Sequence, residues 1–277
     1  MPAYICGTCG VQYPDTEQPV SVCKICADER QYVGDGAGGP QRWTTLAELR
    51  TKGYTNEIRD LEPGLTGIRT EPQFGIGQRA LLVQTPGGNV LYDCISYLDE
   101  PTVDALEQRG GVQAITFSHP HFYASMVEWS KAFDGAPIFV PEADAEWVTC
   151  PDAAIRYWSG SVEPVQGATL IQCGGHFEGS AVLHWPQGAG GKGALMTGDT
   201  ISVVRDRRFV TFMRSYPNQI PLPEPVVRGI VDAVRPYTFD RIYGGWWDSV
   251  VRRDAKAAVE RSAERYIRWI GDAASSG

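Results

Sequence analysis

Four of the seven cysteines lie within the first 26 residues, as Cys6-x-x-Cys9 and Cys23-x-x-Cys26, with 13 residues between the pairs. A two-residue gap lets two thiolates turn onto one tetrahedral ion, and a second such pair completes a four-sulfur shell. The competing pattern is two disulfides. The opening Met1-Pro2-Ala3-Tyr4-Ile5-Cys6 has no basic segment followed by an apolar one. No secretory signal is therefore expected, and the expected address is the cytoplasm, where thiols stay reduced and free for metal. Structural zinc is favoured over iron, because a closed four-sulfur zinc shell supplies folding energy to a module without a core of its own. Cys94, Cys150 and Cys173 are scattered singly and read as ordinary thiols.

The chain has only four histidines, and three of them fall where a metal could use them. His119 and His121 follow an apolar stretch in Thr116-Phe117-Ser118-His119-Pro120-His121. In extended chain residues i and i+2 point the same way, so both imidazoles are expected to face one ion. His176 stands in the glycine-rich Cys173-Gly174-Gly175-His176-Phe177-Glu178, and Asp199 in Thr197-Gly198-Asp199-Thr200. Three imidazoles and a carboxylate suit zinc or iron(II). His184 falls inside a strand pattern and is set apart from this group. Glu178 reads as an exposed loop carboxylate, with a base facing the site as the sharper alternative.

These residues need a scaffold that brings distant loops together. Strand patterns are expected at 57–61, 66–70, 79–84, 89–92, 114–117, 138–140, 169–172, 181–185, 194–197 and 241–243, with helices at 102–109, 125–133, 224–234 and 254–270. The pair 79–84 and 89–92 flanks Thr85-Pro86-Gly87-Gly88 and reads as a hairpin. Alternating strands and helices indicate a layered α/β architecture. Gly34-Asp35-Gly36-Ala37-Gly38-Gly39-Pro40-Gln41 has linker composition. It divides the chain into a four-cysteine metal-knuckle module (1–33), a linker (34–42) and one large domain (43–277).

Composition sets the outer limits. The 277 residues are 43% hydrophobic and 21% charged, which excludes a disordered chain. The net charge of −8 disfavours a nucleic-acid groove. No apolar run approaches the ~20 residues of a membrane span. The expected partner is a small-molecule substrate.

Two resemblances add to this reading. Tyr4-Ile5-Cys6-Gly7-Thr8-Cys9-Gly10, with Tyr13 following, resembles the first knuckle of rubredoxin. The second knuckle, Cys23-Lys24-Ile25-Cys26-Ala27, lacks the proline and glycine usual there. The segments at 90–94, 118–124, 174–180 and 195–200 resemble, in order and spacing, the motif series of the metallo-β-lactamase superfamily. That resemblance covers roughly residues 66 to 271. It implies an αββα sandwich, two β-sheets face to face with helices outside, and a metal site at one edge of the sheets. It makes Asp93 a support for the site, and it implies zinc or iron hydrolases, with oxidoreductases such as persulfide dioxygenases among the members. Where the family pattern reads His-x-His-x-Asp-His, this chain has His119-Pro120-His121-Phe122-Tyr123-Ala124. The last family histidine falls near Gly244-Gly245-Trp246-Trp247, where Trp246 stands instead. One ion held by His119, His121, His176 and Asp199 is therefore expected, and not a pair.

A single zinc with an open position lowers the pKa of its water to about 7. The expected activity is hydrolysis of a small ester, thioester, lactone or amide through that hydroxide. Asp199 is expected as a ligand or as a hydrogen-bond partner of the metal water. Tyr123 is expected either to donate to a leaving group or oxyanion or to fill the vacated half of the site, with Trp246 at its mouth. The alternatives are an iron dioxygenase of a thiol or persulfide, with His119, His176 and Asp199 as its facial triad, and a degenerate ligand-binding or partner-binding domain. A nuclease ranks last. Arg205-Asp206-Arg207-Arg208 reads as a partly self-paired solvated loop, with an anion grip as the alternative.

Overall fold

The structure is a computed structural model that describes residues 1–36 and 39–271. Two sheets form its centre. The first has seven strands; from one edge inward Ile155–Trp158, Ile138–Pro141, Ala114–Thr116 and Gly88–Tyr92 run parallel, and antiparallel strands continue it, beginning with Ala80–Thr85, which forms the expected hairpin with Gly88–Tyr92. The second has six strands, with Ala194–Met196 and Arg241–Tyr243 parallel at its middle and Ala168–Gln172 and Ala181–Trp185 antiparallel beside them.

The alternation of side chains along each strand shows how the layers stack. Leu81, Val83, Val90 and Tyr92 of the first sheet share one core with Leu170, Leu183, Ala194 and Met196 of the second. Their sequence neighbours Ala80, Leu82, Leu91 and Ile115 point the other way, into a core shared with Leu106, Met126 and Trp129 of the helices Glu100–Glu107 and Met126–Ala132. On the far side Val182, Leu195 and Ile242 meet Val227, Ile230, Val231, Ala258 and Val259 of the helices Glu224–Val234 and Ala255–Ile270. A strand buried on both faces needs apolar residues in both registers, which these strands have. Three cores between four layers make an αββα sandwich, as expected.

The cysteine module lies against the outer face of the first sheet. Its strand Ala3–Cys6 pairs with Gln12–Asp15 on one side and with Trp43–Thr44 on the other. The small sheet thus takes a strand from beyond the segment expected to be a linker. Gln41, placed in that linker by composition, accepts from the Cys23 amide and donates to Cys6 Sγ. Cys6, Cys9, Val11, Cys23, Ile25 and Cys26 belong to the same buried cluster as Leu82, Leu91 and Phe117. Gly10 touches the large sheet's loop so closely that a Cβ there would sit 2.3 Å from Ser96 Oγ. Residues of the four-cysteine module thus pack on the first sheet within one buried cluster. No helix among the described residues is long and apolar enough to cross a membrane.

Candidate metal centre

The four thiols converge first. Cys6 Sγ and Cys26 Sγ are 3.6 Å apart and Cys9 Sγ and Cys23 Sγ 3.7 Å. Zinc–sulfur bonds of ~2.3 Å put the corners of a tetrahedron about 3.8 Å apart, whereas a disulfide needs ~2.05 Å. All seven cysteines are free, so the disulfide alternative fails. Tyr13 Oη and Gln41 Nε2 donate to Cys23 and Cys6 sulfur, the outer contacts that favour thiolate. Hydrogen bonds from neighbouring thiols pull Cys6 and Cys23 below the ordinary thiol range, while burial pushes Cys9 above it.

The second group forms where strand ends of the two sheets meet. Asp93 and His119 lie just beyond the carboxyl ends of Gly88–Tyr92 and Ala114–Thr116, and Asp199 just beyond Ala194–Met196. His176 lies in the turn entering Ala181–Trp185, where Gly174 and Gly175 both have positive φ. His119 is extended, but His121 is not: Pro120 starts a single 3-10 turn, Pro120–Phe122, closed by the Phe122 amide on His119 O. Proline favours the first position of a helical turn, so it is the turn that brings the two rings to 5.1 Å between centroids.

Hydrogen bonds decide which nitrogens carry lone pairs. Asp93 accepts from the Ser118 amide at 2.7 Å and from Ser118 Oγ at 2.8 Å. Having given its proton to Asp93, Ser118 Oγ accepts from His119 Nδ1–H at 2.8 Å. That tautomer leaves Nε2 of His119 as the unprotonated nitrogen, and this atom is buried without a partner. Gly198 permits the arrangement, because a Cβ there would fall 2.1 Å from Ser118 Oγ. His176 Nδ1 donates to Met213 O at 3.0 Å, so its Nε2 is likewise free to bind. Burial holds His119 and His121 well below the usual imidazole range and His176 at about 4. Neutral imidazole is the ligating form.

His176 Nε2 lies 3.2 Å from His121 Nδ1, and His119 Nε2 3.6 Å from Asp199 Oδ2. Metal–nitrogen bonds of ~2.0–2.1 Å place tetrahedral ligands about 3.3 Å apart. One donor atom from each of the four residues fits within 4.8 Å of all the others. Asp199 Oδ1 is buried without a partner, and burial pushes this carboxyl up to about 7. The residues present fit one borderline ion.

Comparison with known proteins bears on family and fold. No family model matches the chain. Over 273 residues it is 50% identical to the uncharacterized protein YmaE of Bacillus subtilis (strain 168), covering 98% of this chain and 97% of that protein. The chain belongs to the YmaE family. Among solved structures, VMB-1 and the DIM-1 metallo-β-lactamase each superpose with a TM-score of 0.59 at 13% identity, covering 78% of this chain and 98% of theirs. The metallo-β-lactamase SMB-1, in complex with mercaptoacetic acid, gives 0.50 at 16% identity over 75% of this chain and 95% of its own. The fold is that of the metallo-β-lactamases.

Other residues singled out in the sequence fall elsewhere. Tyr123 does not reach the histidines: its ring packs edge-on to Phe117 at 4.9 Å in the outer core, with its hydroxyl buried and unpartnered. The 3-10 turn rotates it away and presents Phe122 instead, 4.3 Å from the His119 ring. Trp246 stands behind Phe122 at 6.0 Å, its indole N–H aimed at Ile76 O. Ala124 gives its carbonyl to the Gln12 amide of the small sheet. Glu178 is held by Arg30 NH2, both oxygens at 3.1 Å. It faces that arginine, which leaves no role for it as a base. His184, inside the strand Ala181–Trp185, donates from Nε2 to Thr238 O, ahead of the strand Arg241–Tyr243.

Arg30, Phe122, Phe177 and Tyr216 border the centre without a signal in the sequence that singled them out. Arg30 is buried with its guanidinium 4.2 Å from the Phe177 ring, donating to Asp28, Glu178 and His176 O. Tyr216 lies 5.7 Å from the His176 ring and donates to Asp199 O.

Proposed function

We propose that the chain is a metal-dependent hydrolase that works with a single ion on a small acyl substrate: an ester, thioester, lactone or amide. The observation that carries this reading is the convergence of three neutral imidazoles, two with their outer nitrogens tied down, on one carboxylate. Zinc would be held by His119, His121, His176 and Asp199. Bound there, it supplies Lewis acidity and a water of lowered pKa.

The surrounding residues set the limits of the chemistry. Tyr123, Ala124 and Trp246 offer no donor for a second ion beside the first. Asp199 Oδ1, without a partner, is placed to hydrogen-bond the attacking water or receive its proton. Asp93, through Ser118, holds His119 in the binding tautomer. None of the four donor residues is more than 6% exposed, which supports a small substrate over a polymer.

Elemental analysis and a substrate panel test the reading. The expected result is two zinc equivalents per chain, one after His119→Ala combined with His176→Ala, and turnover of an acyl substrate lost in the same variant. Iron at the histidine centre, with turnover of a persulfide or thiol, would favour the dioxygenase instead. Full turnover after loss of His119 would remove the metal from the mechanism.

A further inference from the structure

Two basic sequence pairs, Arg207-Arg208 and Arg252-Arg253, lie far apart in the chain and meet at one surface cavity of about 800 Å³, joined by Arg205 and Arg261. Against these six arginines the lining has two carboxylates, Asp206 and Asp254. Asp206 is already committed to Arg208, which grips it at 2.9 and 2.8 Å. Arg207 turns to Asp248 at 3.1 Å, and Arg261 gives one arm to Arg208 O. Among the described residues Arg205, Arg252 and Arg253 have no carboxylate partner. Elsewhere the chain pairs its arginines closely with neighbours, as in Arg59–Glu57, Arg228–Glu224 and Arg241–Glu62.

A protein of net charge −8 does not gather guanidinium groups through basic composition. Six permanent positive charges around one concavity repel one another, and that repulsion is relieved by a compact anion. The guanidinium fork matches phosphate oxygens two at a time. Part of the array is fixed in place, since Arg261 lies over the Phe209 ring at 5.5 Å. The volume is within the ~300–1,000 Å³ of small-molecule sites. With Asp206, Asp254 and Asp248 set against the six arginines, about three uncompensated charges call for a ligand that packs three or more negative charges into that space. A single phosphate or a dicarboxylate carries too few.

We propose that this cavity binds an oligophosphate, either an inorganic chain or the triphosphate of a nucleotide. Its walls come from the hairpin Ser202–Val203 and Val210–Thr211, which follows Asp199, and from Val250–Val251, which follows the loop of Trp246. The Arg207–Asp248 pair already ties these two segments together. The assignment stands whether or not the histidine centre is a hydrolase.

Isothermal titration of zinc-loaded full-length protein with inorganic tripolyphosphate, ATP and orthophosphate tests it, with zinc content measured afterwards so that chelation is not read as binding. Tripolyphosphate or ATP should bind one per chain, at least about tenfold more tightly than orthophosphate, and should weaken as salt rises. Binding of both triphosphates identifies the phosphate chain as the recognised part; binding of ATP alone adds a base contact. Arg205→Gln with Arg253→Gln should weaken binding about tenfold or more, equivalent to about 1.4 kcal/mol, with an unchanged melting temperature. Arg205→Gln alone should give an intermediate loss if the double variant folds poorly. Equal binding by the variants, or no binding at millimolar tripolyphosphate and ATP, overturns the proposal. A single-stranded oligonucleotide that binds more tightly than either, and loses affinity through the same substitutions, replaces it with a nucleic-acid surface.

Discussion

Arg30 Nε donates to the carbonyl oxygen of His176 at 2.7 Å across 146 residues of sequence. The contact joins the cysteine module to the turn that carries a candidate ligand. Ser215 Oγ and Asn218 Nδ2 donate to the carbonyls of Arg30, Glu29 and Gln31, so residues 29–31 are wedged between the His176 turn and the hairpin of Met213–Ser215 with Ile220–Pro221, whose Met213 O fixes His176 Nδ1. The module therefore serves as one wall of the histidine centre.

Removing that wall should show in binding before it shows in fold. Arg30→Ala leaves the His176 carbonyl, Asp28 and Glu178 without their shared partner. Leaving the buried His176 carbonyl unsatisfied costs ~1–3 kcal/mol, to which the largely exposed Glu178 adds little, and loss of an outer-shell support lowers metal affinity about 10–100-fold. Chemical denaturation and competitive zinc titration of the histidine centre measure the two effects. Unchanged affinity in a folded Arg30→Ala protein would reduce the contact to packing.

The cysteine centre should be coupled to global stability. Cys6→Ser with Cys23→Ser removes the four-sulfur shell from the cluster that also contains Leu82, Leu91 and Phe117. Calorimetry should show one transition, shifted down as a whole, with one zinc equivalent lost. A main transition that stays at the wild-type temperature would restore the independent module that the glycine-rich segment suggested.

Tyr123→Phe separates a catalytic phenol from a core ring. The hydroxyl is buried with no partner, and burial pushes its pKa well above the ordinary phenol value. Removing an unpaired buried hydroxyl relieves a desolvation cost of ~1–3 kcal/mol. Stability should hold or rise, and any hydrolytic rate should change less than about twofold. A tenfold fall in rate would return Tyr123 to the mechanism.

What the sequence disclosed follows from how local the cause was. Strand and helix patterns, the hairpin at Thr85–Gly88 and the convergence of Cys6, Cys9, Cys23 and Cys26 depend on spacing, and they were legible. So was the histidine group, because its members fall at strand ends. The facing of Tyr123 was not, since a single turn begun by Pro120 exchanges it for Phe122. The pairing of Trp43–Thr44 back onto Ile5 and Cys6 was not legible either, because glycine content reports chain flexibility and carries no information on such a contact. The contacts of Arg30 and Met213 with His176 arise only when the sheets close, and no local pattern announces them.

Asp144 gives the fold a pH dependence of its own. It is fully buried in the turn Glu142–Trp147, where Oδ1 accepts from the Gly179 amide at 2.7 Å and Oδ2 has no partner. Burial pushes its carboxyl up to about 7, with Glu178 adding to the rise and the Gly179 amide opposing it. An unfolded aspartate titrates near ~3.9. The raised folded value means that the native state holds the proton longer than the unfolded chain does. Its stabilising contribution is therefore full below about pH 4 and is lost as pH climbs to about 7, remaining absent above that. Asp144→Asn keeps the acceptor for Gly179 and removes the charge. Urea denaturation should find the variant more stable than wild type at pH 8, by about 2–4 kcal/mol, because each pH unit between folded and unfolded titration is worth about 1.36 kcal/mol. The advantage should shrink steadily toward pH 5, while other titrating groups cancel in the comparison. A difference that stays constant across this range would mean that Asp144 is ionised throughout and satisfied by a partner other than Gly179.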